Sequence, residues 1–156
     1  SAIVITRNEA HNLHDCLQSM RGLVDEIIVV DSQSTDATVA IAQQHGAKVA
    51  QHADWPGFGP QKNRALDLAT CDWALSIDAD ERVTPELAAE IKQVLQAGAP
   101  DVAYKLPRLS SYCGKFIHHA GWQPDYVLRL FKRGMAKFSD DLVHERVVTQ
   151  QPVHAL

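Results

Sequence analysis

Residues 1–100 alternate short apolar runs with stretches of helical periodicity, and no other feature narrows the possible folds as far. Ala2-Ile3-Val4-Ile5-Thr6, Glu26-Ile27-Ile28-Val29-Val30, Lys48-Val49-Ala50 and Trp73-Ala74-Leu75-Ser76-Ile77 read as strands. Between the first two, Leu13, Cys16, Leu17 and Met20 recur at helical spacing before Gly22. Ala37 to His45, closed by Gly46, and Gln61 to Ala69 predict two more helices. A fourth starts at Thr84-Pro85-Glu86, with Thr84 as N-cap and Pro85 at the first helical position. Leu87, Ile91, Val94 and Leu95 supply its apolar stripe, and Gly98 its stop. The second strand is apolar almost throughout, which requires a sheet covered on both faces. Strand-helix alternation of this kind predicts a mostly parallel, Rossmann-like α/β sheet with right-handed crossovers.

Such sheets bind ligands outside the carboxyl ends of their strands. Three strand exits here carry polar clusters: Arg7-Asn8-Glu9, Asp31-Ser32 and Asp78-Ala79-Asp80-Glu81. In one sheet they would line one crevice. Carboxylates at i and i+2 on leaving a buried strand can both turn to one point, and hard oxygen ligands of that sort suit Mg²⁺ or Mn²⁺ held by substrate phosphates. The alternative is a solvated turn in which Asp80 or Glu81 merely favours a helix N-terminus.

After Pro100 the alternation stops. Val102 to Leu106, Tyr112 to Ile117, Tyr126 to Phe131 and Arg146 to Thr149 read as extended segments, interrupted by Pro107, Pro124 and Pro152. This β-rich, irregular last third (101–156) elaborates the same domain as 1–100, since no repeat or low-complexity linker separates them. At 156 residues, 46% hydrophobic and 22% charged, the chain suits a single globular domain. A formal charge of -4 argues against a nucleic-acid partner. No eighteen-residue apolar stretch and no signal-peptide architecture occur, so a cytoplasmic protein is expected. Cys16, Cys71 and Cys113 form no Cys-x-x-Cys pair and read as reduced thiols, with Cys16 and Cys71 in the core. His118-His119 on an extended segment would face opposite ways and share no metal.

Taken in order, Ile3-Val4-Ile5-Thr6-Arg7-Asn8-Glu9 with Asn12-Leu13, Val29-Val30-Asp31-Ser32-Gln33-Ser34-Thr35-Asp36-Ala37-Thr38, Gln61-Lys62-Asn63-Arg64-Ala65 and Asp78-Ala79-Asp80-Glu81 resemble a family 2 glycosyltransferase of the GT-A fold. Gly121-Trp122, Asp125, Leu128-Arg129-Leu130-Phe131 and Val143-His144-Glu145 extend the match towards the bacterial β-1,4-glucosyltransferases that act on heptose in the lipopolysaccharide inner core. Members of that group run on for a further helical segment, so part of the acceptor or membrane-facing region is expected beyond Leu156.

The resemblance implies an inverting, metal-dependent transfer of glucose from a UDP-sugar to a glycan or lipid-linked saccharide. It also implies peripheral contact with the inner face of the cytoplasmic membrane. It carries roles onto matching residues. Thr6, Arg7 and Glu9 would flank the base, with Asp31 and Ser32 beside uracil or ribose. Lys62 and Arg64 would meet phosphate or sugar, and Asp78 would sit toward ribose and metal. Asp80, with Asp78 and His144, would hold Mg²⁺ or Mn²⁺. Asp125 is the expected base, with Glu145 its rival and Asp140 or Asp141 further candidates. A nucleotide-sugar-binding module without turnover remains open. A nucleotidyltransferase is the rival enzyme, but the Arg7-Asn8-Glu9-Ala10-His11 exit lacks the glycines its phosphate loop needs, and a dinucleotide-binding dehydrogenase fails on the same ground.

Overall fold

The four apolar runs form β1 (Ala2–Thr6), β2 (Ile27–Asp31), β3 (Lys48–Gln51) and β4 (Trp73–Ser76), separated by α1 (Ala10–Ser19), α2 (Thr38–Gln44) and α3 (Phe58–Leu68), with α4 (Pro85–Gln96) after β4. The computed structural model describes residues 1–98, 101–109, 111–112, 115–116, 125–141 and 145–156. Expectations on Cys113, His118, His119, Gly121, Trp122 and His144 fall outside the described residues. The remaining strands are β5 (Ala103–Arg108), β6 (Ser111–Tyr112), β7 (Lys115–Phe116), β8 (Asp125–Lys132), β9 (Ala136–Phe138), β10 (Val147–Thr149) and β11 (Val153–Ala155).

A seven-stranded sheet runs in the order β11-β5-β8-β4-β1-β2-β3. Six strands point one way; β8 alone is reversed, antiparallel to both β4 and β5. Side chains alternate across the sheet and feed two cores. Val4, Val29, Leu75 and Leu130 pack with Leu13, Leu17 and Met20 of the α1 region, Ala42 of α2 and Ile91 of α4. Ile3, Ile28, Val30, Ala74 and Phe131 pack with Ala65 and Leu66 of α3 and Phe138 of β9. Each large side chain so buried contributes about 1.5–3 kcal/mol.

The described part of residues 101–156 is more regular than the sequence suggests, because β5, β8 and β11 extend the same sheet as β1–β4. β5 passes through Pro107. β11 pairs with β5 only from Ala103 to Lys105, so Pro107 lies where no neighbour on that side needs its missing N–H. α3 begins at Phe58, three residues before the expected Gln61. Gly57 takes the N-cap position at φ +112°, and Pro60 falls in the first turn, where helix N–H groups have no intrahelical partner. The predicted cap at Thr84 is present: its side chain accepts from the Leu87 N–H at 3.2 Å. Cys16 is fully buried, which pushes its thiol up to about 12, whereas Cys71 is only half-buried rather than a core residue.

Candidate active site

The exits of β4, β1 and β2 are adjacent in the sheet, so the three polar clusters share one edge. At the β1 and β2 exits the loops are tied to each other. Asp31 is fully buried; it accepts from Thr6 Oγ1 at 2.8 Å, from the Ser34 N–H at 2.9 Å, from Ser34 Oγ at 2.5 Å and from Gln51 Nε2 at 3.3 Å. Asn8 donates its N–H to Ser34 Oγ and accepts the Thr35 N–H, both at 2.8 Å. α1 has no side-chain cap of its own, and Thr38 at the start of α2 and Asp36 just before it receive the Glu9 and Ala10 N–H groups. Asn8 and Gln33 hold positive φ of 56° and 54°. Such backbone persists only where its surroundings over-determine it, and it clusters at functional sites.

The Asp31 oxygens are thus engaged within the protein, tying the β1 and β2 exits together. Ser32 is also buried, its Oγ accepting from Gln61 Nε2 at 3.0 Å. Arg7 is exposed and Glu9 half-buried, and no ion pair joins them. Glu9 instead accepts from Asn12 Nδ2 at 3.0 Å.

At the β4 exit Asp78 lies between two buried cations. Lys62 Nζ meets Asp78 Oδ1 at 2.8 Å, and Arg129 Nη2 meets Asp78 Oδ2 at 2.7 Å. Lys62 also reaches Glu145 Oε1 at 2.6 Å, and Arg129 reaches Glu81 Oε1 at 2.7 Å. Burial pushes the Asp78 carboxyl up, but the charges of Arg129 and Lys62 outweigh it and hold the group at about 2. Glu81 moves the other way: burial raises it, and the neighbouring charges of Asp78 and Asp80 add to the rise against Arg129. Asp80 is exposed, and among the described residues no side chain or backbone group donates to it.

That division decides how a divalent cation would fit. Asp78 faces Lys62 and Arg129, whereas among the described residues no cation or donor meets the Asp80 carboxylate. Among the described residues no three His, Cys, Asp or Glu side chains converge on one point. The arrangement suits an ion that brings most of its ligands as phosphate oxygens and water. Two cations face Asp78, Glu81 and Glu145, so adding Asp80 leaves an excess of acid that such an ion would balance.

Asp125 opens the reversed strand β8, and so stands at the same edge as the parallel strands' carboxyl ends. Its Oδ2 accepts from Arg108 Nε at 2.9 Å and lies 2.7 Å from Arg108 Nη2 as an ion pair. Glu145 is held by Lys62. Of the further candidates, Asp141 is exposed and accepts from Ser139 Oγ at 2.8 Å, and Asp140 is exposed. Arg64 points away from the acids: it pairs with Asp54 and donates to Gln61 Oε1 at 2.9 Å, bracing the β3–α3 loop. Arg129, Glu81, Arg108 and Gln61 went unassigned in the sequence. Arg129 lay inside a quoted motif, but only the antiparallel placement of β8 beside β4 brings it to the acids.

The description "Glycosyl transferase family 2" matches residues 1–153. An uncharacterized glycosyltransferase of Rickettsia felis is 37% identical over 98% of this chain and 56% of its own length. The lipopolysaccharide core biosynthesis glycosyltransferase LpsC of Rhizobium meliloti is 32% identical over 96% of this chain and 57% of its own. The chain therefore spans little more than half the length of these relatives. S. aureus TarS, residues 1–349, superposes with a TM-score of 0.72 over 99% of this chain and 57% of that one, at 17% identity, which speaks for the fold alone. Glucosyl-3-phosphoglycerate synthase of Mycobacterium tuberculosis, in complex with Mn²⁺, UDP and glucosyl-3-phosphoglycerate, superposes at 0.55 with 26% identity over 67% of this chain and 42% of its own.

Proposed function

This chain belongs to glycosyl transferase family 2, and from that premise we propose that it transfers glucose from UDP-glucose to a saccharide acceptor of the lipopolysaccharide core, with inversion. The observation that carries this reading is the acidic turn at the β4 exit, set between Lys62 and Arg129 and beside the tied β1 and β2 exits. The likeness to LpsC supports the core acceptor, and the UDP and Mn²⁺ bound by the mycobacterial synthase support the donor and ion. No described helix is long and apolar enough to cross a membrane. The work site we propose is the cytoplasmic face of the inner membrane, reached by peripheral contact.

In this mechanism Thr6 and Asp31 hold the floor under the nucleotide, and Arg7 and Glu9 flank the base. Lys62 offers positive charge to the diphosphate. A divalent cation, when bound, neutralises charge on the leaving nucleoside diphosphate, and Asp80 would hold it. The acceptor hydroxyl oxygen attacks the anomeric carbon as the bond from that carbon to the phosphate oxygen breaks. Asp125 takes the hydroxyl proton. Arg108 orients it, and the Arg108 pair must loosen as the proton arrives. Glu145 is less suited, because its Oε1 is tied at 2.6 Å to the Lys62 Nζ that also holds Asp78.

Calorimetric titration with UDP, ADP and GDP in Mn²⁺ tests the donor, and a purine preference overturns it. Transfer from a sugar-nucleotide panel to core oligosaccharide then tests the reaction; nucleotide binding without turnover would make this a binding module. Losing a positioned base costs on the order of 10²–10⁴ in turnover. Asp125→Asn should fall by that much while keeping UDP affinity, and near wild-type transfer by Asp125→Asn beside an inactive Glu145→Gln assigns the base to Glu145.

A further inference from the structure

We propose that Arg129 is a positioning residue for donor binding: by clamping Asp78 to Glu81 it fixes the turn that presents Asp80 to the cation on the donor diphosphate. The inference rests on the donor reading above and adds to it a residue outside the acidic motif. Arg129 is the fifth residue of β8, beside the β4 exit, as the Leu75–Leu130 pairing requires. A single nitrogen, Nη2, lies 2.7 Å from both Asp78 Oδ2 and Glu81 Oε1.

The turn is closed twice more. Glu81 Oε2 accepts the Asp78 N–H at 2.9 Å, and the Glu81 N–H donates to the Asp78 carbonyl at 2.9 Å. Ala79 points into the core, 5% exposed, and Asp80 faces out. With both ends of the turn pinned and Ala79 buried, the direction of Asp80 is set without any bond from a described residue to its own carboxylate.

Stability alone does not call for an ionic cluster here. The Arg129 side chain is 8% exposed, and burying a guanidinium with its two carboxylate partners carries a desolvation cost that a fully apolar cluster at the same positions would avoid. The charge is kept for what it holds in place.

The test compares Arg129→Met, Arg129→Lys, Glu81→Gln and Asp80→Asn for Mn²⁺ affinity in the presence of UDP, read by electron paramagnetic resonance, with melting temperature followed in parallel. Arg129→Met should lose Mn²⁺ affinity at least tenfold. Arg129→Lys should recover part of it, since an ammonium can replace a point contact but sits on a shorter stem. Glu81→Gln should fall in the same direction by less, and it carries the test if Arg129→Met does not fold. Adding Arg129→Met, or in that case Glu81→Gln, to Asp80→Asn should cost no further Mn²⁺ affinity, because the clamp acts through Asp80. A lowered melting temperature with unchanged Mn²⁺ affinity makes Arg129 structural only and overturns the inference. Absence of Mn²⁺–UDP binding by the wild type overturns the donor reading and the inference together.

Discussion

Both oxygens of Asp78 rest on cations and, among the described residues, neither oxygen of Asp80 does, although the two lie on the same turn. The difference predicts different losses. Asp80→Asn should abolish detectable transfer with the fold intact, because its carboxylate is the free one; full activity of that variant in metal-free buffer would end the metal reading. Asp78→Asn should weaken transfer strongly and also destabilise the protein by about 2 kcal/mol, since Lys62 and Arg129 each lose a buried partner. Stability should also depend on pH through Asp78. Its carboxyl is lowered to about 2 in the folded state, so its contribution is present above the unfolded carboxylate range and is lost as pH falls from about 4 through 2. Allowing for a carboxylate that is one-third exposed, the loss is about 1–2 kcal/mol. Glu81, raised by burial, contributes in the opposite sense above its unfolded value. Urea unfolding at pH 6 and pH 2.5 should show a smaller acid loss for Asp78→Asn than for wild type, and equal slopes would sink the assignment.

Among the elements, α3 and the β9–β10 hairpin carry the most consequence, because their contact holds Glu145 against Lys62. Asn63 serves as a strand partner for β9: its Nδ2 donates to the Phe138 carbonyl at 3.0 Å and its Oδ1 accepts the Phe138 N–H at 2.8 Å. Gly59 lets the helix approach so closely that a Cβ there would lie 1.8 Å from the Ser139 carbonyl oxygen. Gly59→Ala must therefore push the hairpin away, and we expect a loss of roughly 1–3 kcal/mol from the forced backbone shift. Chemical denaturation measures it. An unchanged midpoint would mean the hairpin gives way freely. Thr84→Ala, which removes only the α4 cap, should cost about 1 kcal/mol without touching donor binding.

At the scale of the whole molecule, UDP with Mn²⁺ should raise the melting temperature by mass action, by about 2.7 kcal/mol of stability at a hundredfold excess over Kd. The gain should vanish in Asp80→Asn. The sequence by itself determined the alternating α/β order, the sheet covered on both faces and the three polar strand exits, because apolar periodicity and turn chemistry are local. It also marked Asp78, Asp80 and Asp125 as the acids to watch. Tertiary structure alone decided how those acids are paired. Arg129 of the reversed strand reaches Asp78, beside Lys62 of α3, because β8 inserts between β4 and β5. β9 and β11 were equally illegible: each is only three residues long, β9 forms against the β10 strand of its own hairpin, and β11 is held by β5 far back in the chain. A charge pair between residues 51 positions apart leaves no periodic trace in sequence, and the packing of strands is what brings it together.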